Sequence, residues 1–146
     1  MAGLMHVDIV DAESRVFAGE AEFLIINAFD GEIGIFPNHI PLISKLKPGV
    51  LRIKAPNQDN QKVFALSGGF IEVCDNNVLV MADIVERTDE LDEQKLIEQK
   101  NLALNRLKHA DTSSSTYEVA KAQAALEIAI AQLRALEYIK KRGKNF

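Results

Sequence analysis

Tryptophan is absent from this 146-residue chain, tyrosine occurs twice and cysteine once. With so few flat aromatic side chains, a platform for stacking nucleic-acid bases is not expected. The lone Cys74 allows no intrachain disulfide and no multi-cysteine zinc site, and it fits a reducing compartment. No run of about 18 apolar residues occurs, so no helix is expected to span a bilayer. Residues Met1 to His6 lack a basic region followed by an apolar run, so no secretory leader is expected. Positive charge is also scarce: 17 Lys and Arg stand against 21 Asp and Glu, a net of −4. A general nucleic-acid binder needs the opposite balance to displace counterions from phosphate.

What is present divides into two parts of different character. Hydrophobic residues make up 47% and charged residues 26%, ordinary values for a globular protein. Residues 1–86 carry 6 Lys/Arg and 12 Asp/Glu, residues 87–146 carry 11 and 9, and all 4 prolines and 7 of the 8 glycines lie in the first part. That part reads as short strands between turns. Met5, Val7 and Ile9 alternate with polar residues, as does Val50 to Lys54. Phe23 to Ile26 is a continuous apolar run, expected to be covered on both faces. Val63 to Leu66, Phe70 to Val73 and Val78 to Met81 follow, separated by Ser67-Gly68-Gly69 and Asp75-Asn76-Asn77.

The second part reads as two helices. The first starts near Asp89 to Asp92, capped by Thr88 or Asp89, with apolar positions Leu96, Ala103, Leu107 and Ala110. A polar break, Asp111 to Ser115, precedes a second helix capped by Ser115 or Thr116. That helix places Val119, Ala122, Leu126, Ala129, Leu133 and Leu136 at alternating steps of three and four, the spacing of a coiled coil. The short break makes the pair an antiparallel hairpin. Seven alanines on the second helix favour close helix approach but bury little apolar area, so the hairpin is expected to be held less firmly than a core; alanine's helix propensity alone also accounts for them. The fold expected is α+β: an antiparallel β-sandwich over 1–87 and a two-helix hairpin over 88–146.

No catalytic constellation stands out. His6, His39 and His109 fall in different elements without metal spacing, and no metal site is expected. Cys74 has no activating partner in sequence and reads as a small buried hydrophobe. Ser67-Gly68-Gly69 reads as a bulge or tight turn rather than a phosphate cradle. Asp89, Glu90, Asp92 and Glu93 suit a first helical turn. The absence of chemistry points to an interaction protein.

The stretch Asp30 to Leu42 (DGEIGIFPNHIPL) resembles the signature loop of the epsilon subunit of bacterial F-type ATP synthases. Lys47 to Ile53, Ala65 to Val73, Val80 to Asp83 and Leu91 to Glu93 match the same family, in the same order and along essentially the whole chain. The resemblance implies a ten-stranded sandwich followed by two helices. It implies a non-catalytic rotor subunit that grips the gamma subunit, sits on the ring of c subunits and inhibits ATP hydrolysis when its helices extend into the alpha and beta head. It implies a peripheral place on the cytoplasmic face of the bacterial inner membrane, with no direct membrane insertion.

The resemblance also assigns residues. Glu32 matches the position that meets the polar loops of the c ring, and Phe36, Pro37 and His39 are placed at the same end, against the ring or gamma. Arg134 matches the basic residues of the second helix that reach the beta subunit, and Lys140, Lys141 and Arg142 extend that basic stretch. Some members bind regulatory ATP through Ile or Leu, Asp, two variable residues, Arg and Ala. Here Leu91-Asp92-Glu93-Gln94-Lys95-Leu96 replaces the arginine by Lys95 and the alanine by Leu96. Lysine loses the planar fork and leucine crowds the approach, so at most weak ATP binding through Asp92 and Lys95 is implied, and no cofactor is expected. Two other readings stand beside this one. One is a small ligand-binding β-domain using Ser67-Gly68-Gly69 or the Asp92 region. The other is a coiled-coil adaptor pairing through Val119 to Leu136.

Overall fold

The computed structural model describes residues 3–110 and 115–143, the side chains of 142 and 143 excepted. Ten strands come first: β1 (Met5–Val10), β2 (Arg15–Ala21), β3 (Phe23–Ala28), β4 (Gly31–Ile35), β5 (Leu42–Leu46), β6 (Gly49–Lys54), β7 (Lys62–Leu66), β8 (Gly69–Cys74), β9 (Asn77–Met81) and β10 (Val85–Arg87). A 3-10 turn at Thr88–Glu90 leads to α1 (Glu93–Lys108) and α2 (Thr116–Gly143).

The strands form one folded sheet in the order β10-β7-β6-β3-β5-β8-β9-β1-β2, with β4 paired to β3. Most neighbours are antiparallel, as expected, but β1 runs parallel to β9, from His6 opposite Asn77 to Val10 opposite Met81. The two edges of the sheet meet. Arg87 on β10 donates from Nη2 to the Val16 carbonyl of β2 at 2.7 Å, and the Phe17 and Phe64 rings pack edge-on at 6.0 Å. The alternating residues Val7, Ile9, Leu24, Ile26, Leu51, Ile53, Ile71 and Val80 point inward and are buried. Asp75 and Asn76, both at positive φ, make the two-residue turn from β8 to β9.

The strand covered on both faces is β7 rather than β3. Phe64 and Leu66 face the sandwich core, while Val63 and Ala65 face α2 with Val50 of β6, Ala135 and Ile139. On β3, Leu24 and Ile26 are buried, but Phe23 and Ile25 face outward and stay half-exposed. Helix α2 therefore carries two seams. One follows the coiled-coil positions towards α1, with Ala122 and Ala129 buried. The other runs through Ala131, Ala135 and Ile139 at steps of four, and its Ala135 and Ile139 seat on the sandwich. Four of the seven alanines are buried (Ala122, Ala129, Ala131 and Ala135) and the rest are exposed.

The start of α1 differs from expectation. Its N-cap is Asp92, whose carboxylate accepts from the Gln94 and Lys95 backbone N–H groups. Thr88 is buried, and its hydroxyl donates to the Val63 carbonyl at 2.9 Å, so it fastens the chain to β7 instead of capping a helix. Ala110 lies beyond the end of α1 and is exposed. Ser115 caps α2 by accepting from the Glu118 N–H at 3.1 Å. The break over 111–114 lies outside the described residues.

Candidate functional site

Glu32 follows the β3–β4 turn by two residues and projects from the outer face of the sheet. Its carboxylate lies 3.5 Å from Arg52 Nη2 on β6. The Arg52 guanidinium stacks over the ring of Tyr138 on α2 at 4.5 Å. Arg52 is only 18% exposed at its side chain, Glu32 51%. Beside them a cleft of about 300 Å³ is lined by Asn27, Glu32, Arg134, Glu137 and Lys141. Asn27 shapes its floor: its Oδ1 accepts from the Val50 N–H at 3.0 Å and packs where a side chain on Gly49 would go. The structure thus brings together Glu32, Arg134 and Lys141, which the sequence assigns to separate surfaces.

Phe36, Pro37 and His39 do not share that end. They begin beyond the far end of β4, four residues from Glu32, which is about 13 Å along an extended strand. The sequence could not separate them, because nearness along a chain does not reveal that a strand lies between. Phe36 is exposed and leans on the Phe23 ring at 5.7 Å. Asn38 adopts positive φ, and its N–H donates to Asn76 Oδ1 at 2.9 Å, tying this loop to the β8–β9 turn. His39 Nδ1 donates to the Ile40 carbonyl at 2.6 Å.

The chain runs from this loop through Ile40 into β5, whose outward side carries exposed apolar residues. Ile40 and Ile43 are 75% and 77% exposed. On the same face Phe70 lies opposite both Lys45 and Met81, and both Phe70 and Met81 are exposed. These residues escaped the sequence reading. Their signal was an apolar residue at an outward strand position whose neighbour two along is charged, as Ile43 beside Lys45 and Phe70 beside Glu72.

On the hairpin, Asp92 is committed to capping α1, and Lys95 is exposed. Lys140 pairs with Glu93, joining the end of α2 to the start of α1. Arg134 and Lys141 are exposed, and the side chain of Arg142 lies outside the described residues. Ser67-Gly68-Gly69 has no room for a phosphate. A Cβ on Gly69 would stand 1.9 Å from the Met81 carbonyl oxygen, and Ser67 Oγ accepts from the Ile84 N–H. Cys74 is exposed rather than buried, and its thiol is pushed above the ordinary range, chiefly by the negative charge of Asp75 and further by desolvation and Glu72. Among the described residues no group of three or more His, Cys, Asp or Glu could hold a metal ion, and no helix is long and apolar enough to cross a membrane. The arrangement offers surfaces for binding rather than groups for catalysis.

Residues 4–88 match the family model described as "ATP synthase, Delta/Epsilon chain, beta-sandwich domain". The chain is 46% identical over 139 residues to the ATP synthase epsilon chain of Chromobacterium violaceum, covering 95% of this chain and 97% of the relative. It is 44% identical to that of Nitrosospira multiformis, covering 97% and 99%. Its fold is similar to a chain in the cryo-EM structure of the Euglena gracilis mitochondrial ATP synthase OSCP/F1/c-ring assembly, with a TM-score of 0.79 at 21% identity over 91% of this chain and 81% of that one.

Proposed function

The chain belongs to the ATP synthase epsilon-chain family, and from that premise we propose that it is a rotor-stalk subunit with two jobs, coupling and braking. It is a non-catalytic component of a complex that makes ATP from a proton gradient. The observation that carries this reading is the set of exposed apolar residues on one outer face of the sandwich, Ile43, Phe70 and Met81. An exposed apolar surface on a rigid β-unit is what a permanent partner covers. We assign that face to the gamma subunit, and the separate Glu32 end to the polar loops of the c ring. The complex holds the chain peripherally at the cytoplasmic face of the bacterial inner membrane.

The division of labour falls at residues 87/88, with the sandwich as coupling unit and the hairpin as brake. In its docked position the hairpin seats on the sandwich mainly through Ala135 and Ile139. So small a seam supports release from the sandwich; opening of the hairpin itself then frees Lys140 from Glu93 and carries Arg134, Lys141 and Arg142 towards the acidic surface of the head. Nucleotide has no part in this reading, because the Asp92 carboxylate is spent on its helix cap and Lys95 cannot fork. Calorimetric titration with ATP checks that point.

The test is ATP hydrolysis by a bacterial F1 head lacking this subunit, titrated with the full chain. A saturable fall in rate, lost when the chain ends at residue 90, is the expected result. Binding without inhibition would remove the brake and leave coupling, and no binding to any matched head would sink both assignments.

A further inference from the structure

Arg52 occupies an unusual position. It sits in the middle of β6, between Ile25 of β3 and Val63 of β7, on the face that α2 covers. Its guanidinium has two partners on two different elements, the Glu32 carboxylate on β4 and the Tyr138 ring on α2. A planar guanidinium can serve both at once, meeting a carboxylate at its edge and an aromatic ring at its face. Lys54, the next outward residue of β6, is already paired with Glu22 at 3.7 Å and does not replace Arg52. From α2, Arg134, Glu137 and Lys141 line the adjoining cleft.

We propose that Arg52 is a positioning residue that ties the occupancy of Glu32 to the docking of α2, so that a cationic group engaging Glu32 loosens the hairpin. Glu32 is half-exposed, so a basic group of a partner can reach its carboxylate without disturbing the sheet. Once that carboxylate is shared, Arg52 remains largely covered by α2 with its charge less compensated. Lifting Tyr138 lets water reach the guanidinium and relieves the imbalance. The reciprocal effect follows from linkage: a hairpin that has left releases Arg52 to solvent and frees Glu32 to bind a cation more tightly. The identity of that cation, a basic side chain on the c ring, rests on the function proposed above; the tie itself rests on the geometry of the chain alone.

The experiment uses the full-length chain without partners. In a Cys74→Ser background, Val63→Cys places a thiol beneath Ala135 and Ile139, where it reacts only while the hairpin is away. Glu32→Gln and Tyr138→Leu are each expected to raise the labelling rate roughly three- to tenfold. The double variant is expected to be no faster than the faster single one, because both changes break the same chain of contacts. Arg52→Lys, which keeps the charge and loses the flat face, is expected to behave like Tyr138→Leu. Circular dichroism confirms that each variant retains its fold. A double variant whose rate is the product of the singles would overturn the proposal, as would an unchanged rate in Glu32→Gln. Failure here leaves the hydrolysis assay intact, and failure of the hydrolysis assay leaves this coupling intact.

Discussion

Gly69 is the residue on which the sandwich is least forgiving. Its φ is +133°, and an added Cβ would meet the Met81 carbonyl oxygen at 1.9 Å. Gly31 has a similar φ of +137° but open space around it. We expect Gly69→Ala to cost about 3 kcal/mol or more in urea denaturation, and Gly31→Ala about 1–2 kcal/mol. Equal losses would mean that backbone conformation alone, and not the close strand crossing, selects glycine. The double glycine reads in the sequence as a bulge or tight turn; the carbonyl that Gly69 accommodates could not be read there, because that partner lies a strand away. Cys74 was misread for a related reason. Apolar composition suggested burial, yet β8 alternates, and the residues two and four before the turn fix Cys74 on the outward side. Its raised pKa keeps the thiol protonated to higher pH than usual, so thiolate chemistry is slow at neutrality. We expect Asp75→Asn to lower that pKa and to speed reaction with a thiol reagent at pH 8.

At the scale of elements, legibility followed contrast. β1, β6, β8 and β9 alternate cleanly or stand between turn clusters, and all were visible. β2 is an edge strand whose outward and inward residues differ little, β5 points Ile43 out and Ser44 in, and β10 has three residues. In each the hydrophobic pattern is blurred by what the strand does: closing an edge, presenting an apolar face, or ending the sheet. The heptad pattern of α2 was read correctly as one seam, and the second seam was hidden because alanine serves a helix surface and a helix seat equally well. That second seam is testable. Ala135 is fully buried against Val50, Val63 and Ala65. We expect Ala135→Leu to overpack it by about 1–3 kcal/mol, shifting the hairpin to its released state while leaving the sandwich melt unchanged. Hydrogen exchange of the α2 amides measures the first effect and a thermal melt the second. A sandwich that melts early would show that the seam supports the β-unit itself.

At the scale of the whole molecule, composition suggests a division at residues 87/88. All the prolines and every glycine but Gly143 lie before residue 87, but Thr88 still bonds to β7 through its buried hydroxyl. A fragment of residues 1–90 is therefore expected to melt cooperatively and to be more stable than one of residues 1–87 by about 1 kcal/mol. Loss of cooperative melting in the longer fragment would mean that the hairpin is a structural part of the sandwich. The candidate residues could be named one at a time, but their grouping could not: Glu32 pairs with Arg52 beside the hairpin, and Phe36 to His39 begin beyond the far end of β4. Only the register of β4 decides that, and register is a property of pairing rather than of composition.

The parallel pairing of β1 with β9 sets a schedule for synthesis. The β1–β2 hairpin leaves the ribosome early, yet the strand that lies beside β1 begins only at Asn77. At roughly 5–20 residues per second, the first strand waits about 4–14 s for its neighbour. During that interval one apolar edge is open and a closed sandwich cannot exist, so the nascent chain is most vulnerable to wrong pairing before its helices have been made. Asp8 and Arg15, paired on the outer side of β1 and β2, put charge on that waiting hairpin. The brake, encoded last, meets a coupling unit that has only just closed.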